Sequence, residues 1–354
     1  MNIAFDMHYT TTMSNQRGIG RFCHSMIEFI KKTAPHNSYF DFYPDFKDAH
    51  LEKQLKDFLN KNNINIFHVT SPFEANTCRL MKKEWFGNTR IVATLYDLIP
   101  LIFHGAYLQH ESEIERHLKV IDFIRSCDII LAISETTKID AITYAKIDPD
   151  KIRVILGGVD PRFKVCPPEK PPVKFGITKP YVIYTGGDDF RKNLPRTIRA
   201  FAIVNKLLSS KYQLVIVGEI ANKALLHSIA AKANLNKENF ILTGYVNDND
   251  LVKLYNSAEL LLYPSLYEGL GLPVLEAMAC GVCVLTSNLS SLSEISGDAA
   301  YKVNPAALEE IAQGLFILLS QPNIRDSYRK RGLEHAKKFQ WEKVAQRALE
   351  AYNK

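Results

Sequence analysis

The stretch Tyr263-Pro-Ser-Leu-Tyr-Glu-Gly-Leu-Gly-Leu-Pro-Val-Leu-Glu-Ala-Met-Ala-Cys-Gly281 decides the reading of this chain. It follows an apolar run, Leu260-Leu-Leu-Tyr263, of the kind that forms a strand buried in a parallel sheet. Glu268-Gly-Leu-Gly271 reads as a glycine-flexed turn. A short helix should follow, with Pro273 near its first position and Gly281 just past its end. Where a strand passes through a glycine turn into a helix, unpaired N–H groups point outward and attract anions, phosphate above all. Two carboxylates flank this place: Glu268 in the turn and Glu276 in the first turn or so of the helix. Carboxylates accept hydrogen bonds from sugar hydroxyls, so the stretch suggests a ligand carrying both phosphate and sugar.

The same unit recurs earlier in the chain. Tyr181-Val-Ile-Tyr-Thr185 reads as a strand, Gly186-Gly-Asp-Asp-Phe-Arg-Lys-Asn193 as its turn, and an amphipathic helix with Ile198, Phe201 and Leu208 on one side follows. Arg191 and Lys192 stand at that helix mouth, where a guanidinium clamps phosphate bidentately and an ammonium adds a compact charge. Gln213-Leu-Val-Ile-Val-Gly218 and Asn239-Phe-Ile-Leu-Thr-Gly244-Tyr-Val246 are two further strand-plus-glycine units. Near the start, Asn2-Ile-Ala-Phe-Asp6 leads through a polar loop to Arg17-Gly-Ile-Gly-Arg21, and Ile19, Phe22, Met26, Phe29 and Ile30 then recur at helical spacing. Tyr39–Tyr43, Ile64–Val69, Ile91–Tyr96, Asp128–Ile133 and Ile152–Ile155 complete a first strand series with helical segments between most of them. Strands alternating with helices argue for an α/β fold with parallel sheets, whose ligands bind beyond the carboxyl ends of the strands.

The spacing Glu268-x7-Glu276 within its twenty-residue setting resembles the retaining glycosyltransferases of the GT-B fold, family 4. Two apolar-for-apolar departures are visible: Leu270 where the family often has Phe, and Val282-Cys283 where Pro-Val is common. Gly186–Asn193 is similar to the family's Gly-Gly-x-x-x-Arg-Lys-Asn, and Arg17-Gly-Ile-Gly-Arg21 to an opening found in its polysaccharide-assembly members, many of them mannosyltransferases. The resemblance implies two Rossmann-like domains facing each other across a cleft, and transfer of a hexose from a nucleotide sugar with retained anomeric configuration. Lys192 and Arg191 would stabilise the departing nucleoside diphosphate and Glu268 would hold donor sugar hydroxyls. The backbone of Gly269, Leu270, Gly271 and Leu272, together with Gly187, would meet sugar and phosphate, and Glu276 the ribose. Gly244, Tyr245 and Val246 would meet the base, and Gly18 and Gly20 the donor diphosphate or the acceptor side.

Asp97 closes the strand ending at Tyr96 and is a candidate for acceptor binding or proton acceptance, equally read as a turn-forming strand-end Asp. The family often carries His where this chain has Tyr96, so a role needing imidazole is absent or moved. His68, His104, His110 and His117 lack metal-site spacing; each is structural or solvated unless it serves an acceptor site. Ser134 reads as an N-cap, and Ser290-Ser-Leu-Ser-Glu294 as a capping box. The favoured donor is GDP-mannose, with a UDP-sugar or a deoxysugar nucleotide as alternatives. The acceptor would be a saccharide or lipid-linked saccharide. No Asp-x-Asp metal motif stands at a strand end, and the cations could do a metal's work, so no cofactor and no metal requirement are expected. Three other readings compete. A nicotinamide oxidoreductase would want a full Gly-x-Gly-x-x-Gly; a retaining glycosidase needs two carboxylates but not the basic loops; a sugar-nucleotide-binding protein without activity would follow if Tyr96 marks lost catalysis.

Composition sets the frame. The 354 residues allow two domains, and 46% hydrophobic and 23% charged residues are ordinary for a globular protein. A net charge of +6 permits a phosphate-bearing partner but falls short of a nucleic-acid footprint. Four prolines in Cys166-Pro-Pro-Glu-Lys-Pro-Pro172 mark a boundary. The expected division is 1–165 for the acceptor domain, 166–180 for the linker and 181–337 for the donor domain, with helix 338–354 returning to the first. Six scattered cysteines, the absence of a secretory signal pattern and the absence of a long apolar run suggest a cytoplasmic protein, with peripheral contact at the inner membrane face. Cys280-Gly-Val-Cys283 reads as small packing residues rather than a redox or zinc pair.

Overall fold

The computed structural model describes residues 1–12, 18–74, 81–167 and 173–353. Arg17, Cys78 and the prolines at 168, 171 and 172 lie outside the described residues. The chain forms two compact units, Met1–Gly158 with Gln340–Lys354, and Val159–Phe339. The division falls at Gly158/Val159, ahead of the proline-rich segment, because the stretch after Val159 packs with the second unit: Val165 touches the place where a Cβ on Gly281 would lie, and Cys166 N–H donates to Asn256.

In the first unit the strands are β1 (Asn2–Asp6), β2 (Ser38–Phe42), β3 (Ile66–Val69), β4 (Arg90–Leu95), β5 (Ile129–Ala132) and β6 (Ile152–Val154). They pair in the order β2-β1-β3-β4-β5-β6, every pair parallel. The helices are α1 (Gly18–Thr33), α2 (Leu51–Lys61), α3 (Ile99–Ile102), α4 (His104–Tyr107), α5 (Glu111–Ser126) and α6 (Glu135–Thr143). β3, β4 and β5 are buried nearly throughout and correspondingly apolar, because a parallel sheet is covered on both faces. Ser134 Oγ accepts from Thr137 N–H at 3.0 Å and so caps α6.

The second unit holds β7 (Tyr181–Thr185), β8 (Gln213–Val217), β9 (Phe240–Gly244), β10 (Leu260–Tyr263), β11 (Cys283–Ser287) and β12 (Tyr301–Val303), in the order β12-β11-β10-β7-β8-β9 and again parallel. Its helices are α7 (Leu194–Leu207), α8 (Lys223–Lys232), α9 (Asp248–Ser257), α10 (Leu272–Ala279), α11 (Ser290–Ser296), α12 (Leu308–Ser320) and α13 (Pro322–Ala336). The strand order reverses between β7 and β10. At such a switch point the loops leaving the two strands diverge and open a crevice. α10 ends in a Schellman motif: Gly281, at φ 72°, donates to Met278 O, and Val282 N–H to Ala277 O, both at 2.9 Å. Cys280 and Cys283 are buried free thiols, both pushed up to about 12 by burial.

α14 (Trp341–Tyr352) returns to the first unit and packs on α1. Trp341 lies edge-on to Phe22, and Tyr352 hydroxyl meets His68 Nδ1 at 2.7 Å while His68 Nε2 meets Thr94 Oγ1 at 2.7 Å. Burial pulls His68 down to about 3, so the imidazole is neutral and structural. Among the described residues no helix is long and apolar enough to cross a membrane.

Candidate functional site

The crevice between β7 and β10 gathers Arg191, Lys192 and Glu268. Asp189 accepts from Arg191 N–H at 3.1 Å and starts a single helical turn, Phe190–Lys192. Asn193 then adopts a left-handed conformation, φ 60°, and its Nδ2 donates to Pro264 O at 2.9 Å and Pro305 O at 2.7 Å. The amide thereby ties the loop after β7 to the loop after β10. It sets Arg191 and Lys192 facing Glu268: Arg191 Nη1 donates to Glu268 Oε2 at 2.6 Å and Lys192 Nζ to Oε1 at 2.6 Å.

Tyr263, at the end of β10, completes the cluster. Its hydroxyl donates to Glu268 Oε1 at 2.8 Å and accepts from Lys192 Nζ at 2.6 Å; the ammonium also lies 5.1 Å from the ring centroid. Glu268 is only 6% exposed. Burial alone would raise its carboxyl, but Lys192 and Arg191 outweigh that and hold it down at about 2. Glu268 therefore stays ionised, and one buried carboxylate is shared by two half-buried cations. The Arg191 guanidinium lies 3.6 Å from the more exposed Asp189, so part of its charge is balanced there. With Asp189 counted, two cations face two carboxylates, and the cations stand ordered at the switch point.

The turn carrying Glu268 is braced from α11. Glu268 N–H donates to Ser290 Oγ at 3.2 Å, and Ser291 Oγ donates to the carbonyls of Glu268 at 2.7 Å and Leu270 at 3.0 Å. These serines are not a capping box: α11 has Leu289 at its N-cap and no side-chain cap. Their hydroxyls are spent on the glycine turn instead. Gly271 opens α10 at φ 99°, and a Cβ there would lie 2.5 Å from Leu292 Cδ2. No side chain caps α10, so its positive end faces the same turn.

The remaining candidates are placed as follows. Gly269 and Leu270 are buried in the turn, Leu272 starts α10, and Glu276 is 5% exposed in the second turn of the helix rather than the first. Gly187 follows β7 with the carbonyl of Glu219 3.3 Å from a Cβ built on it. Gly244 sits at φ 71° with its carbonyl accepting from Gly218 N–H at 3.0 Å; Tyr245 is exposed and its N–H donates to Glu219 at 3.1 Å; Val246 is buried. Gly18, Gly20 and Asp97 belong to the first unit. Gly18 and Gly20 form the first turn of α1, Gly18 exposed and Gly20 buried. Asp97 Oδ1 accepts from Ile99 N–H at 3.0 Å and thus starts α3, while its side chain also lines a pocket of about 320 Å³ beyond β4. Tyr96 turns inward: its hydroxyl donates to Thr70 O at 3.0 Å and lies 2.9 Å from Cys23 Sγ.

Tyr263, Ser290, Ser291 and Asn193 went unmarked as site residues in the sequence. A Tyr at the end of an apolar run looks like core, and two serines before a helix look like caps. Only Asn193 carried a signal, as the last residue of the basic glycine loop.

Comparison with known proteins agrees with the two-sheet fold. The model of glycosyl transferases group 1 matches residues 168–335, and that of Glycosyltransferase Family 4 matches 22–163; between them they span most of the chain. The chain is 28% identical over 272 residues to a serotype-specific mannosyltransferase WbdA of Escherichia coli, covering 75% of this chain and 33% of that one. It is 35% identical over 174 residues to the O-antigen chain mannosyltransferase B of E. coli, covering 49% and 45%. The chain thus spans a third to under half of the length of these curated relatives. Among solved structures, Anabaena HepE in complex with UDP and glucose superposes with a TM-score of 0.76 at 15% identity, over 99% of this chain and 98% of that one. With both sheets and both family models in agreement, the chain belongs to the family-4 (group 1) glycosyltransferases of the GT-B fold.

Proposed function

We propose that the chain transfers a hexose, with retained anomeric configuration, from a nucleotide sugar bound in the second unit to a saccharide or lipid-linked saccharide acceptor. The observation that carries this reading is the shared carboxylate: one buried glutamate orders two half-buried cations at the strand-order switch point. The leaving nucleoside diphosphate develops negative charge there. Lys192, Arg191 and the N-terminus of α10 are already ordered to receive it, so little reorganisation is needed. Glu268 holds the cations in place, and Oε2, which accepts from Arg191, keeps lone-pair capacity for a sugar hydroxyl. Glu276 takes the ribose hydroxyls. The fixed cations supply the charge a divalent ion would bring, so transfer proceeds in EDTA.

GDP-mannose is the first choice of donor, supported by the mannosyltransferases among the relatives. A UDP-sugar is the second reading, supported by the UDP held by the structural neighbour HepE. The test is a thermal-shift panel of GDP-mannose, UDP-glucose, UDP-N-acetylglucosamine, dTDP-rhamnose and NAD, with and without Mg²⁺. One nucleotide sugar should raise the melting temperature, the effect should vanish in Glu276→Ala, and Lys192→Ala should lower turnover by about 10²–10³-fold. Stabilisation by NAD alone, or by no compound, would overturn the reading.

A further inference from the structure

Lys192 is held by a tyrosine from each of the two strands that flank the switch point. Tyr184, in β7, brings its hydroxyl within 3.3 Å of Gly187 O and 3.4 Å of Lys192 O, and so braces the backbone of the loop. Tyr263, in β10, meets the ammonium itself. The two rings lie 5.9 Å apart with planes at 31°, and both residues are fully buried. Tyr263 is also fixed from β11: it pairs with Thr286, whose Oγ1 donates to Tyr263 O at 3.0 Å. A side chain clamped at its backbone and its ring leaves its hydroxyl little freedom of position.

The hydroxyl uses both of its capacities on charged groups. Its one proton goes to Glu268 Oε1 at 2.8 Å, and its oxygen accepts from Lys192 Nζ at 2.6 Å. Lys192 Nζ donates to the same Oε1 at 2.6 Å, so the three groups close a triangle. Burial, with Glu268 beside it, pushes the phenol well above its ordinary range, so it stays neutral and cannot serve as a base. An ammonium has three N–H donors in a tetrahedral array. Held by Glu268 alone, it would turn about that one bond. With Tyr263 as second acceptor two donors are fixed, and the direction of the third follows from the tetrahedral angle. Among the described residues no hydrogen bond takes that third donor. The Lys192 side chain keeps 15% of its surface exposed and Tyr263 keeps none, so a ligand in the crevice meets the lysine and not the tyrosine.

We propose that Tyr263 is a positioning residue for glycosyl transfer: its hydroxyl aims the third N–H of Lys192 at the phosphate oxygen on which the charge of the leaving group develops. The role rests on the transfer reading above; its geometry rests on the triangle. Because the benefit grows with that charge, the hydroxyl contributes to turnover more than to donor binding.

The experiment measures release of GDP from GDP-mannose and of UDP from UDP-glucose by the full chain, with methyl α-D-mannopyranoside as acceptor. Tyr263→Phe keeps the ring beside the ammonium and removes only the hydroxyl; Tyr184→Phe removes a hydroxyl that meets carbonyls instead of charges. Tyr263→Phe should lower kcat about tenfold or more while the donor KM moves by less than about threefold. Tyr184→Phe should lower kcat less. In a Lys192→Met background Tyr263→Phe should lower kcat no further, because the ammonium through which it acts is gone. Circular dichroism and thermal melting of each variant control for folding. An unchanged kcat in a folded Tyr263→Phe overturns the proposal, as do losses that add in the double variant. A fall no larger than that of Tyr184→Phe would make the hydroxyl a packing group and overturn it too. A crystal structure of the full chain with GDP or UDP gives a second measurement that needs no variant. Lys192 Nζ on a phosphate oxygen, with its bond to Tyr263 kept, is the expected result; a Lys192 that leaves Tyr263 to reach the phosphate overturns the role. A blank nucleotide panel fails the transfer reading and this role together, whereas turnover that does not depend on Tyr263 sinks this role alone.

Discussion

Glu268 is the residue on which the second-unit site turns, because among the described residues it is the one carboxylate bonded to both Arg191 and Lys192. Removing one partner of a buried ion pair leaves uncompensated charge. Glu268→Ala, which strands two cations, should therefore destabilise by about 3–5 kcal/mol in urea unfolding. Lys192→Met leaves the Arg191–Glu268 pair intact and should cost less stability while still losing transfer; equal costs would show that the charges are not shared as described. The pH dependence follows from the sign of the shift. The folded carboxyl sits at about 2, below its ordinary value of 4.5. Its contribution is thus fully present above about pH 4.5 and is lost as pH falls from there through 2. Melting temperature followed from pH 5 to pH 3 should drop less in Glu268→Gln than in the wild type, because the amide has no proton to gain. Parallel profiles would show that Glu268 is not the titrating group.

At the scale of elements, the glycine turn and α11 form one device. Ser291 Oγ reaches two carbonyls of the turn, so Ser291→Ala should cost about 1–2 kcal/mol and weaken nucleotide binding, although the serine need not touch the ligand. Gly271 is constrained twice, by φ 99° and by Leu292. Gly271→Ala should destabilise by about 1–3 kcal/mol through the backbone alone, and pairing it with Leu292→Ala should relieve only the steric part. Full rescue by the double variant, read in urea unfolding, would remove the backbone argument. This device also marks the limit of what the sequence displays. The strand, glycine and helix units were legible because periodicity, Pro273 and Gly281 are local signals, and Arg191, Lys192 and Glu268 were legible because charge in a glycine loop is conspicuous. The bracing by Ser290 and Ser291 was not, since it joins positions more than twenty residues apart and borrows residue types that ordinarily cap helices. Tyr263 was visible only as the end of an apolar run; the hydroxyl it shares between Lys192 and Glu268 is a property of packing.

At the scale of the molecule, the two units differ in how the chain builds them. The second, Val159–Phe339, is one continuous segment and contains every residue of the Glu268 crevice. The first needs both ends of the chain. α14 covers α1, Trp341 fills the space that leaves no room for a Cβ on Gly158, and the buried relay from Tyr352 through His68 to Thr94 fastens the helix to the sheet. Removing the Tyr352 hydroxyl leaves His68 Nδ1 buried without that partner, a cost of about 1–3 kcal/mol. Loss of the whole helix exposes the apolar face of α1 as well. A contiguous unit with its own core can fold alone. The expected outcome is therefore asymmetric: residues 159–339 expressed by themselves give a cooperative melt and keep nucleotide affinity within roughly tenfold of the full chain, whereas 1–158 without 340–354 gives no cooperative melt. Calorimetry of both fragments, with titration of the nucleotide identified by the panel, decides it. A folded 159–339 fragment that no longer binds nucleotide would mean that the first unit supplies essential donor contacts.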